Sequence, residues 1–157
     1  MAETAIDNTL LEKGLWESAQ EAFSTMVNLP IQRADHSDLA NRVGSITFTG
    51  PVKGVIYVEC AGQAGEKITR SMLMMDESEP LESSAVQDAI GEVTNLVAGG
   101  FKARIIDSIG TIDISVPTVI SGKAILPSPG LKGQVIKITA SAGEQPVRLA
   151  AVIHLGN

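Results

Sequence analysis

Residues 83–104 carry the longest helical pattern in the chain, and this pattern restricts the fold more than any other feature. At about 100° per residue, one side of this helix gathers the apolar residues Val86, Ala89, Ile90, Val93, Leu96, Val97 and Phe101. The opposite side spans roughly 80° and holds Asp88, Glu92, Asn95, Gly99 and Lys102. We expect the apolar side to pack on a core.

We call the narrow side, formed by Asp88, Glu92, Asn95, Gly99 and Lys102, the polar strip. A polar strip is commonly a solvated helix face, and that interpretation stays open. The same helix also contains Gly91, Gly99 and Gly100, and each glycine costs up to about 1 kcal/mol relative to alanine. Small residues beside Glu92 and Asn95 therefore favour a second interpretation, in which the strip leaves room for another surface to approach.

Composition indicates one aliphatic domain with an acidic surface. The 157 residues are predicted to form a single domain, 1–157, with residues 1–8 flexible. Hydrophobic residues make up 44% of the chain and aromatic residues only 3%, so the core must be built from aliphatic side chains. The net charge of −6 argues against nucleic acid as a partner and favours a partner protein with a basic surface.

The reactive side chains are few and isolated. Cys60 is the only cysteine, so no internal disulfide can form, and a buried apolar role is favoured over a reactive thiol. His36 and His154 have no neighbouring Cys or His in sequence, which leaves no recognisable metal site. No apolar run approaches the roughly 18 residues needed to span a bilayer, and no leader pattern begins the chain. We therefore expect a cytoplasmic protein with no membrane segment.

Shorter patterns divide the rest of the chain into helices and strands. Two further helices are predicted, over residues 9–28 and 64–75. Strands are predicted over 45–49, 55–60, 109–119, 122–125, 134–141 and 147–155. A polar connection is expected over 31–38, and Ser83 or Ser84 is expected to cap the central helix. This order predicts an α+β fold with long helices on one face of a largely antiparallel sheet, and with a loose internal two-fold repeat.

Several motifs in this order carry a family resemblance. The pattern Asp-x-x-x-Glu-x-x-Asn begins at Asp88, Gly-Gly follows at Gly99, and Ser-Val-Pro-Thr-Val-Ile-Ser-Gly spans residues 115–122. Together with the strand pair at 44–50 and 54–59, these motifs resemble the CheC/CheX/FliY family of chemotaxis phosphatases, and within it the CheX branch. The resemblance extends over most of the chain.

The resemblance implies an activity. Members of this family hydrolyse the aspartyl phosphate of CheY-type response regulators, whose receiver domain supplies the phosphoryl group, a bound Mg²⁺ and a lysine. The chain itself would then bind no cofactor. Carried over by position, Glu92 would pair with the lysine, and Asn95 would enter the regulator's site and orient the attacking water. Asp88 and Gly99 are candidate partner contacts.

The resemblance also implies an architecture and an assembly. The two long helices should lie side by side, and a homodimer built through the sheets is expected. Family members with two active sites carry the acidic-amide motif on both helices. The first helix here has only Glu17-Ser-Ala-Gln20, so we expect one site per chain.

Two alternatives stay open at this stage. The first keeps the fold without the chemistry, as a module that binds a receiver domain or a flagellar-switch component through Glu92 and Asn95. The second is a small-molecule enzyme that uses Asp88 and Glu92 as an acid-base pair. Both carboxylates are predicted to be exposed on a helix, which does not favour the separated pKa values such a pair requires.

Overall fold

The computed structural model describes residues 6–127 and 133–155. Its helices are α1 (Asn8–Ala22), α2 (Ala64–Leu73) and α3 (Ser83–Ile109), and a π-helical turn, Phe23–Val27, continues α1. Its strands are β1 (Ile31–Arg33), β2 (Ala40–Thr49), β3 (Val52–Cys60), β4 (Asp113–Ile114), β5 (Thr118–Ile125), β6 (Gln134–Ala142) and β7 (Gln145–Leu155). The prediction of a flexible terminus falls mostly outside the described residues, because only residues 6–8 of that segment are included and Asn8 already belongs to α1.

The strands form one antiparallel sheet, which confirms the predicted fold class. Its order is β1-β6-β7-β3-β2-β4, and β5 also pairs with β2. The two halves of the chain exchange their first strands, since β1 pairs with β6 of the second half and β5 pairs with β2 of the first. The hairpins β2-β3 and β6-β7 meet at the central β3-β7 pair. The internal repeat is therefore visible in the topology as well as in the order of elements.

The apolar side of α3 packs on this sheet as its pattern predicts. Six of the seven residues named for that side are buried, and the seventh, Leu96, is partly buried against the core. Gly44 of β2 lies directly beneath the helix, and a Cβ there would lie 2.0 Å from Thr94 Oγ1 and 3.3 Å from Ile90 Cγ2. The absence of a side chain at Gly44 thus allows the short distance between α3 and β2.

The helix α1 lies beside α3, as the resemblance implies. The Ser18 hydroxyl donates a hydrogen bond of 2.6 Å to the Val97 carbonyl. A Cβ on Gly100 would lie 2.2 Å from Ser18 Oγ, so the absence of a side chain at Gly100 allows this close approach. The two helices share one buried cluster with the sheet.

Some predicted boundaries were wrong. The helix α3 continues to Ile109, and the predicted strand 109–119 is replaced by the two-residue β4 and the start of β5. The predicted short strand at 122–125 is the end of β5, which pairs along β2. The polar connection 31–38 contains β1, which pairs with β6. The observed strands β1, β4 and β5 are each defined by a partner distant in sequence.

The cap of α3 also differs from the prediction. Glu82 occupies the N-cap position, with extended backbone and no side-chain hydrogen bond to the first turn, while Ser83 and Ser84 belong to the helix. The helix α3 therefore starts without the capping bond that serine was expected to supply. Its stability comes from the buried side that faces the sheet.

The only cysteine lies at the end of β3 and is fully buried. Burial raises the pKa of the Cys60 thiol from 9.0 to about 12, with a smaller contribution from the nearby Glu66 carboxylate. We expect iodoacetamide at pH 8 to label native Cys60 about a thousandfold more slowly than the same thiol in denatured chain. Mass spectrometry with and without guanidinium measures both rates, and equal rates would contradict the buried assignment.

Candidate functional site

The polar strip is an exposed surface. Asp88, Glu92 and Asn95 are exposed, while Gly99 and Lys102 are partly covered. Positions three and four apart on a helix are neighbours on its surface, so Glu92 lies between Asp88 and Asn95 along one line. The structure brings together every residue that the sequence analysis assigned to this site.

The polar groups of the strip have no partners within the described part of the chain. The side chains of Asp88, Glu92 and Asn95 make no hydrogen bond or ion pair there. The neighbouring face of α3 differs, since Arg104 contacts Glu21 at 2.5 Å and Glu17 at 3.8 Å on α1. The ion pairs of Arg104 therefore join α3 to α1. The carboxylates and the amide of the strip make no such contact in the described residues, so they are available to another molecule.

The three glycines of α3 have three different environments. A Cβ on Gly91 would lie 3.7 Å from Pro117 Cγ, and one on Gly100 would meet Ser18. A Cβ on Gly99 would meet no neighbouring element within 4 Å among the described residues. The glycines at 91 and 100 therefore serve packing inside this chain. The prediction that small residues leave room for another surface applies to Gly99 alone.

The start of β5 and the residue before it pack against α3 next to the strip, and sequence analysis did not identify this contact. Pro117 and Val119 lie against Gly91, which neighbours Asn95 one turn further along α3. Val116, between Ser115 and Pro117, is 82% exposed. The motif at 115–122 marked this segment as noteworthy, but only the pairing of β5 with β2 brings it to α3.

A second polar cluster lies on the opposite face of the sheet. Glu59 is 4% exposed, and Arg148 Nη1 lies 3.4 Å from its Oε1. Burial raises the pKa of the Glu59 carboxyl, and Arg148 opposes that effect. These residues line a cavity of about 360 Å³ with Tyr57, Lys137 and His36. Neither residue was singled out from sequence, because the register that pairs Glu59 with Arg148 joins β3 to β7.

The strip can bind another molecule and orient groups on it, but it contains few other chemical functions. It has two carboxylates that can pair with a cation, and an amide that can both donate and accept hydrogen bonds. Within residues 6–127 and 133–155, no group of three His, Cys, Asp or Glu side chains could hold a metal ion. Asp88 and Glu92 are both exposed to solvent. An acid-base pair usually has at least one carboxyl group in a buried pocket, and neither of these has one. The strip is suited to completing a site on a second protein.

Helices of the described ranges are too short or too polar to cross a membrane. Cys60, His36 and His154 lie apart from the strip, on β3, on the connection before β2 and on β7. The site is therefore formed by α3 and its immediate neighbours.

Comparisons with known proteins agree with this fold. The model of the family described as chemotaxis phosphatase CheX matches residues 42–140, which is more than half of the 157 residues. That range includes all of α3 and the segment that borders it. A search of curated proteins found no match.

Solved structures share the architecture over nearly the whole chain. A chemotaxis protein CheX from Vibrio vulnificus is 20% identical, with a TM-score of 0.83, and the alignment covers 96% of this chain and 100% of that one. A CheC-like superfamily protein from Shewanella sp. PV-4 is 24% identical, with a TM-score of 0.82 and coverages of 94% and 99%.

A third structure is a CheX–CheY–BeF3–Mg²⁺ complex from Borrelia burgdorferi. It is 14% identical, with a TM-score of 0.73, and the alignment covers 96% of this chain and 99% of that one. At these identities the structural similarities establish the fold, and the family model adds the sequence pattern. The chain therefore belongs to the CheX family of chemotaxis phosphatases.

Proposed function

We propose that this chain is a phosphatase that hydrolyses the aspartyl phosphate of a CheY-type response regulator. The observation that carries the proposal is the row of polar side chains, Asp88, Glu92 and Asn95, that have no partner among residues 6–127 and 133–155 and lie on an exposed helix face of a CheX-family chain. The complex of a structurally similar CheX with CheY supports a receiver domain as the partner.

The chemistry needs little beyond positioning. Water attacks phosphorus, the bond from phosphorus to the aspartyl oxygen breaks, and the products are inorganic phosphate and a free carboxylate. Phosphoryl transfer proceeds through a loose transition state, so catalysis depends mostly on alignment and electrostatics. The receiver domain contributes the phosphoryl group, its own Mg²⁺ and a lysine, and this chain contributes the orientation of the water.

In this proposal, Asn95 enters the receiver's site and holds the attacking water in line. An amide oxygen accepts a hydrogen bond from the water, and the amide NH2 can donate to a phosphoryl oxygen. Asn95 does not need to be a strong base, because alignment alone can lower the barrier substantially. Its short side chain stands on α3, whose neighbouring residue Thr94 is fully buried and donates to the Ile90 carbonyl at 2.7 Å. A rigid helix limits the positions that the amide can sample.

Glu92 is the proposed docking residue, pairing with the receiver's lysine. Asp88 would add negative charge one turn earlier, and Gly99 would let the receiver approach α3 closely, because a Cβ there would contact no neighbouring element among the described residues. The net charge of −6 suits a partner with a basic rim. A homodimer assembled through sheet edges stays a prediction of the resemblance.

The proposal is tested by the decay of a phosphorylated CheY-type receiver domain in the presence of Mg²⁺. We expect the wild-type chain to accelerate release of inorganic phosphate by orders of magnitude. Unchanged decay with the cognate receiver would contradict the catalytic proposal. Binding without acceleration would instead support the alternative of a receiver-binding or flagellar-switch module of the same fold.

Glu92→Ala should weaken docking and turnover together. Loss of a charge that becomes buried against a lysine weakens binding by at least about tenfold, so we expect a higher KM and a lower kcat/KM. Glu77→Ala is the matched control, because it removes the same charge from an exposed position on the loop after α2. If both variants lose activity equally, overall charge explains the effect and the docking role of Glu92 is wrong.

A further inference from the structure

The face of the sheet opposite α1 and α3 has a cavity of about 360 Å³ over its central strands. Residues directly opposite each other in an antiparallel pair point to the same face of a sheet. One such row across β6, β7 and β3 is Lys137, Ala150 and Tyr57, and the next row includes Arg148 and Glu59. All five line the cavity. Ala150 has the shortest side chain among them and is 3% exposed, so it forms the floor.

Aliphatic side chains line the rest of this cavity. Val135 and Val152 form the row on the other side of Ala150. Leu39 and Leu126 also line the cavity, although they are 47% and 65% exposed. The last cross-strand pair of β2 and β5 joins the residue after Leu39 to the residue before Leu126, which brings both leucines to one end of the cavity. An apolar wall with a few polar groups is typical of a small-molecule site.

The charged groups of the cavity leave one positive charge without a counter-charge. Glu59 pairs with Arg148, whose Nη1 lies 3.4 Å from the Glu59 Oε1 atom. The Arg148 guanidinium makes no further hydrogen bond to a described residue. Lys137 is exposed and, in the same part of the chain, has neither an ion pair nor a hydrogen bond. One carboxylate and two cations therefore give the lining one net positive charge, within a chain of net charge −6.

We propose that this cavity binds a small amphipathic carboxylate, whose charged group pairs with Lys137 and Arg148 while its aliphatic body lies over Ala150. A single negative charge balances the lining, whereas the Glu59 carboxylate repels a dianion. A guanidinium also presents its N–H groups in a fork that matches a carboxylate. The site is separate from the proposed phosphatase function, because the polar strip belongs to α3 on the other face of the sheet.

A second copy of the chain is the competing occupant of this face. The exposed side chains of Leu39 and Leu126 would suit either occupant. The centre of a protein interface is usually depleted of charged residues, whereas here Lys137 and Arg148 adjoin the floor of the cavity. This arrangement favours the small ligand.

Calorimetric titration of the full chain with octanoate tests the proposal. We expect saturable binding of one octanoate per chain. Octan-1-ol has the same aliphatic body without the charge, and it should bind at least about tenfold more weakly, since it loses the charge-assisted hydrogen bonds. Absence of octanoate binding, or equal affinity for the alcohol, overturns the carboxylate site.

Lys137→Gln should weaken octanoate binding by about three- to tenfold and leave the affinity for octan-1-ol unchanged. Lys53→Gln is the matched control, because Lys53 is an exposed lysine on the same face of β3, four residues before Tyr57, and does not line the cavity. It should keep the wild-type affinity for octanoate. Equal losses in the two variants would show that overall charge explains the effect, and would overturn the site.

Ala150→Leu should fill the floor of the cavity and abolish binding of both probes, while thermal unfolding checks that the variant keeps its fold. If Ala150→Leu unfolds, the comparison of Lys137→Gln with Lys53→Gln still decides. Analytical ultracentrifugation tests the competing occupant. A wild-type dimer that binds no octanoate and that Ala150→Leu dissociates would assign this face to a second copy and overturn the proposal. None of these measurements uses phosphate release, so the proposed phosphatase function is tested independently.

Discussion

Asn95→Ala should abolish the acceleration of receiver dephosphorylation while leaving binding of the receiver nearly unchanged. Removing one well-positioned polar group from a phosphoryl or acyl transfer site typically costs about 10²–10³ in kcat, and loss of water alignment acts in the same direction. Asn95 is exposed and has no partner in the described residues, so its removal should not disturb the fold. Release of inorganic phosphate and a parallel binding titration measure the two effects separately.

Gln20→Ala is the control for this experiment and also tests the number of sites. Gln20 is exposed on α1, at the position where a second motif would carry its amide, but the companion Glu17 is shared between Arg104 and Lys13. We expect Gln20→Ala to keep full activity. A loss comparable with that of Asn95→Ala would show that α1 carries a second site. Full activity in Asn95→Ala itself would contradict the water-orienting role.

Gly44→Ala should destabilise the protein by about 1–3 kcal/mol or more, the usual cost of forcing extra volume into a packed core. The added methyl group would lie 2.0 Å from Thr94 Oγ1 and 3.1 Å from Thr94 Cβ, and Thr94 is fully buried. Relief requires α3 to move away from β2, which would also displace Asn95. Urea unfolding measures the loss of stability, and phosphatase assays on the folded variant measure the displacement.

Two further variants make this prediction sharp. Thr94→Ala removes the hydroxyl that the new methyl group would meet, so the double variant Gly44→Ala/Thr94→Ala should regain part of the lost stability. Gly99→Ala should have the opposite effect and stabilise the isolated chain by up to about 1 kcal/mol, because the new Cβ would contact no neighbouring element in the described part of the chain and alanine favours helix. Equal stability of Gly44→Ala and wild type would contradict the packing described for α3.

Local pattern was sufficient to identify the polar strip. The helical repeat at 83–104 correctly separated the buried residues of α3 from the exposed ones, because 3.6-residue periodicity reports which side of a helix faces a core. The order of helices and strands was also sufficient for the α+β class. The roles proposed for Glu92 and Asn95 came from the family motif and remain predictions.

The tertiary structure decided what surrounds the strip. Sequence did not show that Gly91 and Gly100 serve β5 and α1 while only Gly99 is open, since a glycine carries no side chain to indicate its neighbours. It also did not pair Glu59 with Arg148. These contacts depend on strand register between segments distant in the chain. Local periodicity indicates which side of a helix or strand is buried. Strand register, in contrast, depends on the packing of the whole sheet and of the helices that cover it.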